Sequence, residues 1–167
     1  MELKIDICSL IKKGGVYYDV PGDTVEEVYK NVCQQLDLPE GITGEQLCTE
    51  LLKREKIMST AVGNGIALPH PRPLILKENE SQRIVLFFPK NRLDMSAPDE
   101  RLVSACFILL TSNVNDHMQI LSQIADLVQK VSIRCALEDQ ASEEELFTEI
   151  QRYQNNWFFS AKNSVKK

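Results

Sequence analysis

Apolar positions recur along this chain at two periods, one near 3.6 residues and one near 2, and the switches between them mark its elements. Ile7, Leu10 and Ile11 share a face, predicting a helical lead-in over residues 1–13 that Gly14-Gly15 breaks. Val16–Val20 alternates like a strand, and Pro21-Gly22-Asp23 turns the chain. Thr24 followed by Glu27 predicts a capping box, in which hydroxyl and carboxylate each satisfy a free donor, opening a helix with Val25, Val28, Val32 and Leu36 on one face. Thr43 followed by Gln46 predicts a second box, before a helix that carries Leu47, Leu51 and Leu52 and ends near Arg54-Glu55. The apolar run 66–68 reads as a short buried strand. Residues 73–82 are polar and read as an exposed connection, and residues 91–100 as irregular. Between them, residues 83–88 form a strand stopped by Pro89, and residues 102–110 read as a central strand. His117, Ile120, Leu121, Ile124, Leu127 and Val128 mark an amphipathic helix opening near Asn115-Asp116. A short helix covers residues 133–137, and Ser142 with Glu145 caps another carrying Leu146 and Ile150. The end, residues 160–167, is polar and basic. Strands and helices intermingle, which predicts a single α/β domain, a sheet covered by helices on both faces.

Composition narrows the class. With 167 residues, 43% hydrophobic and 26% charged, the chain can bury one sizeable core. A formal charge of −5 argues against a general nucleic-acid footprint. The longest apolar runs, 84–88 and 105–110, are far too short to span a membrane. Met1-Glu2-Leu3-Lys4 lacks the basic-then-apolar pattern of a signal peptide. Five cysteines, with no CxxC pair, read as reduced and mostly buried thiols in a cytoplasmic protein.

Candidate chemistry centres on residues 59–72. Gly63-Asn64-Gly65 permits positive φ, a short apolar run follows, and His70 sits between Pro69 and Pro71, which supply no backbone N–H. A lone histidine is ordinarily structural; this frame shifts the reading toward function, because a neutral imidazole is a nucleophile at neutral pH. His117, the only other histidine, falls in the first turn of a helix, where the dipole disfavours imidazolium and favours an anion. Arg54 ends a helix at the entry to the glycine stretch. It reads first as a cation suited to the helix dipole, and second as a phosphoryl ligand. Arg72 reads as a solvated cation unless it turns inward. No metal-type ligand spacing, Walker loop, dinucleotide fingerprint or GxSxG occurs, so neither a metal nor a cofactor is expected.

Arg54-Glu55, Ser59-Thr60 and then Gly63-Asn64-Gly65-Ile66-Ala67-Leu68-Pro69-His70 resemble the signature of fructose/mannitol-type enzyme IIA domains (EIIA type 2) of the bacterial phosphotransferase system. The resemblance runs from about Ile5 to about Tyr153 and includes Asp116-His117 opening a Leu-rich helix. It implies a mixed β-sheet with helices on both sides over residues 1–160, with a polar tail at 161–167. It implies that His70 accepts a phosphoryl group from phospho-HPr and passes it to an enzyme IIB in sugar uptake, meeting the membrane only through enzyme IIC. The alternative is a regulatory, nitrogen-type module whose phosphorylation at His70 controls a protein partner. A domain that binds without transferring is a third reading, and retention of all three site residues argues against it. Arg54 and His117 match the family arginine and the second histidine that flank the acceptor. An apolar rim, formed in part by residues 66–68, is expected to dock HPr. The sequence departs from the family at Ala61, commonly glycine, and at Pro71, usually small.

Overall fold

The computed structural model describes residues 5–164. The start of the expected lead-in, residues 1–4, and the end of the expected polar tail, residues 165–167, lie outside the described residues. In order the chain forms α1 (Ile7–Gly14), β1 (Val16–Val20), α2 (Val25–Gln35), α3 (Gly44–Ile57), β2 (Ala61–Gly63), β3 (Ile66–Ala67), β4 (Arg83–Pro89), β5 (Ala105–Leu110), α4 (Val114–Leu127), α5 (Val131–Glu138) and α6 (Glu143–Ser164). The strands build one five-stranded mixed sheet in the order β1-β4-β5-β3-β2. β1 runs parallel to β4 and β3 parallel to β5, while β4–β5 and β2–β3 are antiparallel.

The continuous apolar runs of β4 and β5 follow from burial on both faces. Ile84, Leu86 and Phe88 of β4 join Ala105, Phe107 and Leu109 of β5 in one core, under α1, α4, α5 and α6. Val85 and Phe87 join Cys106, Ile108 and Leu110 in a second core, under α2 and α3. Helices cover both faces, as the intermingled pattern predicts. The cysteines follow the burial: Cys8, Cys33 and Cys106 are buried and Cys48 half-buried, whereas Cys135 is exposed. Burial pushes the Cys33 thiol up to about 12, which leaves it unreactive.

The helix starts show which caps close. Thr43 and Gln46 form the full reciprocal box, and Ser142 and Glu145 exchange the same two bonds. At α2 only half of the expected box forms. Thr24 Oγ1 accepts from the Glu27 N–H, but the Glu27 carboxylate accepts from Asp23 N–H at 2.7 Å, one residue before the cap.

Other expectations are corrected. β2 is a strand that hydrophobic periodicity does not announce, because three residues are too few for a pattern. It pairs with β3 through the two-residue loop Asn64-Gly65. Both loop residues have positive φ, 56° and 76°, as a type I′ hairpin requires, so the Asn-Gly dipeptide was the available signal. Ala61 lies in β2 without positive φ, so the alanine imposes no backbone strain. The 73–82 connection is not wholly exposed: Leu76 is buried in the second core, and Gln82 is buried as well. β5 begins at Ala105, since Leu102 is exposed and Val103 instead bridges Leu93. α3 runs two residues past Glu55, α4 is capped earlier by Asn113, and α6 continues to Ser164, past the expected start of the polar end. None of the described helices is long and apolar enough to cross a membrane.

Candidate functional site

Because β3 runs parallel to β5, the segments that leave their carboxyl ends emerge side by side, the usual position of a site on such a sheet. Pro69 O accepts from the Leu109 N–H at 2.9 Å and prolongs the pairing to the edge of the sheet. His70 then leaves from β3, and α4, following β5, carries His117 as its fourth residue. The two imidazole centroids stand 5.0 Å apart with the ring planes at 53°. Both rings are half-buried.

His70 Nδ1 lies 2.8 Å from the Leu68 carbonyl oxygen. A carbonyl only accepts, so Nδ1 carries the hydrogen and the neutral ring keeps its lone pair on Nε2. His117 Nδ1 pairs with Thr111 Oγ1 at 3.2 Å, from the loop that links β5 to α4. Burial lowers the pKa of His70; the Leu68 carbonyl opposes this, Arg54 adds to it, and Glu55 opposes it. Burial likewise lowers that of His117, helped by the positive charges of His70 and Arg54. Burial, reinforced by Arg54 of α3, thus holds both imidazoles below their ordinary pKa, and Glu55 is the charge that opposes it at His70.

An NMR titration is expected to place both histidine midpoints below the ordinary 6.5. Below 6.5 the unfolded chain binds more protons than the folded one, so the contribution to stability is fully present above that pH. It declines as pH falls toward the folded values. A midpoint at or above 6.5 for His70 would contradict the burial argument.

Arg54 occupies the last turn of α3, half-buried, and donates from Nη1 to Met58 O at 2.6 Å. This is the helix-end cation of the plain sequence reading. Its charge also reaches both histidines, so the structure brings all three residues into one field. Arg72 is exposed. The start of α4 already holds an anion of its own, because Asp116 accepts from Asn113 Nδ2 and Gln82 Nε2, both at 2.9 Å.

The apolar rim differs from expectation. Ile66, Ala67 and Leu68 lie between other strands and are at most 2% exposed. Exposed apolar side chains close in sequence to the other two candidates include Ile57 and Met58, just beyond Arg54, and Val114 and Met118, four apart on the helix that bears His117. The Gly63-Asn64-Gly65 turn sits at the other end of β3, where the Asn64 N–H donates to Asp99 Oδ2 at 2.8 Å. A cleft of about 660 Å³ opens beside that turn and includes neither histidine. Sequence reasoning passed over Glu55 as a site residue, although its carboxylate takes hydrogen bonds from Thr60 and Tyr29. The signal was a carboxylate in the last turn of a helix, where the dipole disfavours it.

A family model described as "Phosphoenolpyruvate-dependent sugar phosphotransferase system, EIIA 2" matches residues 9–153, and the chain belongs to that family. It is 29% identical over 150 residues to a nitrogen regulatory protein of Pseudomonas aeruginosa, covering 87% of this chain and 95% of the relative. The crystal structure of nitrogen regulatory protein IIA-Ntr from Neisseria meningitidis matches with a TM-score of 0.75 at 25% identity, over 86% of this chain and 98% of that one. The mannitol-specific EIICBA component of Buchnera aphidicola is 27% identical over 148 residues, covering 81% of this chain but 22% of that protein.

Proposed function

We propose that the protein is a regulatory phosphocarrier: Nε2 of His70 accepts a phosphoryl group from a phosphohistidine donor such as HPr, and the phosphorylation state governs a protein partner. The observation that carries the reading is the hydrogen bond from His70 Nδ1 to Leu68 O, which leaves Nε2 as the free nucleophile. In the step itself the Nε2 lone pair forms the new N–P bond. The donor's N–P bond breaks, and its electron pair returns to the donor imidazole. No proton has to leave Nε2. The hydrogen stays on Nδ1, which goes on donating to Leu68 O, and the positive charge gained by the ring is offset by the phosphoryl dianion. Phosphoryl transfer asks mainly for positioning and charge stabilisation. Arg54 supplies charge, and a neutral His117 beside the acceptor supplies a polar wall without competing for the proton. Ile57, Met58, Val114 and Met118 offer apolar contact for a protein donor or partner.

Similarity to the nitrogen regulatory proteins supports the regulatory output over sugar transport. The second reading, transfer onward to an enzyme IIB, is supported by the mannitol-component relative. Binding assays with phosphorylated and unphosphorylated protein separate the two. Regulation predicts a partner that prefers one state by at least about tenfold, some 1.4 kcal/mol of coupling. Quantitative loss of the phosphoryl group to an enzyme IIB, with no such partner, would establish transport instead.

A further inference from the structure

Glu55 stands where helix electrostatics argue against it. It lies in the final turn of α3, between Arg54 and Lys56, and the negative end of a helix dipole disfavours a carboxylate. Something else holds it there. Its Oε1 accepts from the Thr60 backbone N–H at 2.8 Å, and its Oε2 accepts from Thr60 Oγ1 at 2.7 Å and from the Tyr29 hydroxyl at 3.0 Å. Tyr29 and Thr60 are both buried. Charge-assisted bonds of this kind are about twice as strong as neutral ones.

The same residues lead to the imidazole. The Thr60 carbonyl accepts from the Leu68 N–H at 3.0 Å, and the Leu68 carbonyl accepts from His70 Nδ1 at 2.8 Å. An unbroken series of hydrogen bonds therefore runs from Tyr29 on α2 through Glu55 on α3 and Thr60 before β2 to the segment after β3, and ends on the ring. No other group among those hydrogen bonds orients His70 Nδ1.

We propose that Glu55 is a positioning residue for phosphoryl acceptance: it clamps Thr60, and through Thr60 and Leu68 it fixes the His70 ring with Nε2 facing outward. The proposal rests on the reading of His70 as acceptor. Glu55 itself touches neither the phosphoryl group nor the imidazole.

The test compares wild type, Glu55→Gln and Glu55→Ala by two readouts. One is the tautomer of His70, from long-range 1H–15N NMR of the unphosphorylated protein. The other is the rate of labelling by phosphoenolpyruvate, enzyme I and HPr. Glutamine can still accept from the Thr60 N–H and can donate to the two hydroxyl oxygens. Glu55→Gln is therefore expected to keep the Nδ1–H tautomer and to label within a few-fold of wild type. Glu55→Ala is expected to populate both tautomers and to label on the order of 100-fold more slowly, the scale of a misplaced reacting group. Wild-type tautomer and wild-type rate in folded Glu55→Ala would overturn the proposal. Where that variant does not fold, Thr60→Val removes the hydroxyl bond alone; a shift toward mixed tautomers supports the clamp, and an unchanged tautomer overturns it. The tautomer readout needs no donor. A wild type that takes up no label thus sinks the acceptor reading, while the NMR comparison decides the positioning of His70 separately.

Discussion

His70→Ala is expected to take up no phosphoryl group. With phosphoenolpyruvate, enzyme I and HPr, wild type is expected to gain the mass of one phosphoryl group, and the variant none above background. The loss is expected to be complete because the geometry gives acceptance to His70 Nε2, left free by the bond from its own Nδ1 to Leu68 O. His117 is the only other histidine. It lies on the other side of the pair, in its own hydrogen bond to Thr111. Of the cysteines, Cys33 and Cys106 have pKa values pushed far up by burial and hold their protons at neutral pH. Persistent labelling of His70→Ala would transfer the acceptor role elsewhere and end the mechanism given for Nε2. The readout is intact mass, and a melting curve confirms that the variant is folded.

The second large effect is on stability and sets two forces against each other. Gly14 is the last residue of α1, and alanine is the better helix former by about 1 kcal/mol. Propensity alone predicts that Gly14→Ala stabilises. Packing predicts the reverse. A Cβ on Gly14 would stand 2.0 Å from the Ile84 carbonyl oxygen and 2.4 Å from its carbon, both in the backbone of β4. Backbone in a central strand cannot rotate aside as a side chain can. β4 pairs with β1 on one edge and β5 on the other, so moving it disturbs both ladders. The steric cost therefore wins. Gly14→Ala is expected to lose about 3 kcal/mol, the upper end of ordinary overpacking, or roughly 6–12 °C in Tm for a chain of this size. A Tm equal to or above that of wild type would show that α1 can lift from the sheet at little cost.

Much of this architecture was legible because the hydrophobic pattern is strong where the core is deep. β4 read correctly since its residues are packed by helices above and below, and β1, an edge strand buried only at Val20, read through its alternation between Gly15 and Pro21. α4 was legible because Ile120, Ile124 and Leu127 keep one buried stripe. Legibility failed where local chemistry outweighed periodicity. The apolar run 66–68 did announce β3, but β2 is too short to show a period, and the Asn-Gly turn that joins the two had to be read as turn chemistry. Glu27 shows the limit of a motif: its carboxylate does reach backward, but to Asp23 rather than to the cap. For the site, His70 was legible through its prolines and Arg54 through its place at a helix end. The pairing of His70 with His117 depends on β3 lying parallel to β5, a relation between segments almost forty residues apart that no local pattern encodes. Glu55 stayed hidden because its partners, Tyr29 and Thr60, come together only after α2 packs on α3.

The bond between His70 Nδ1 and Leu68 O also limits how phosphorylation can be imitated. An aspartate at position 70 has the reach of the near nitrogen, not the far one. One of its carboxylate oxygens would fall close to where Nδ1 now donates, and would set two oxygen lone pairs against each other at the Leu68 carbonyl. Such a side chain would turn away from its anchor and carry its charge to a place that a phosphoryl group on Nε2 never occupies. A glutamate, longer by one methylene, clears the carbonyl and projects its charge outward. With His70 Nε2 as the proposed acceptor, the longer acid is expected to be the closer mimic of the phosphorylated state.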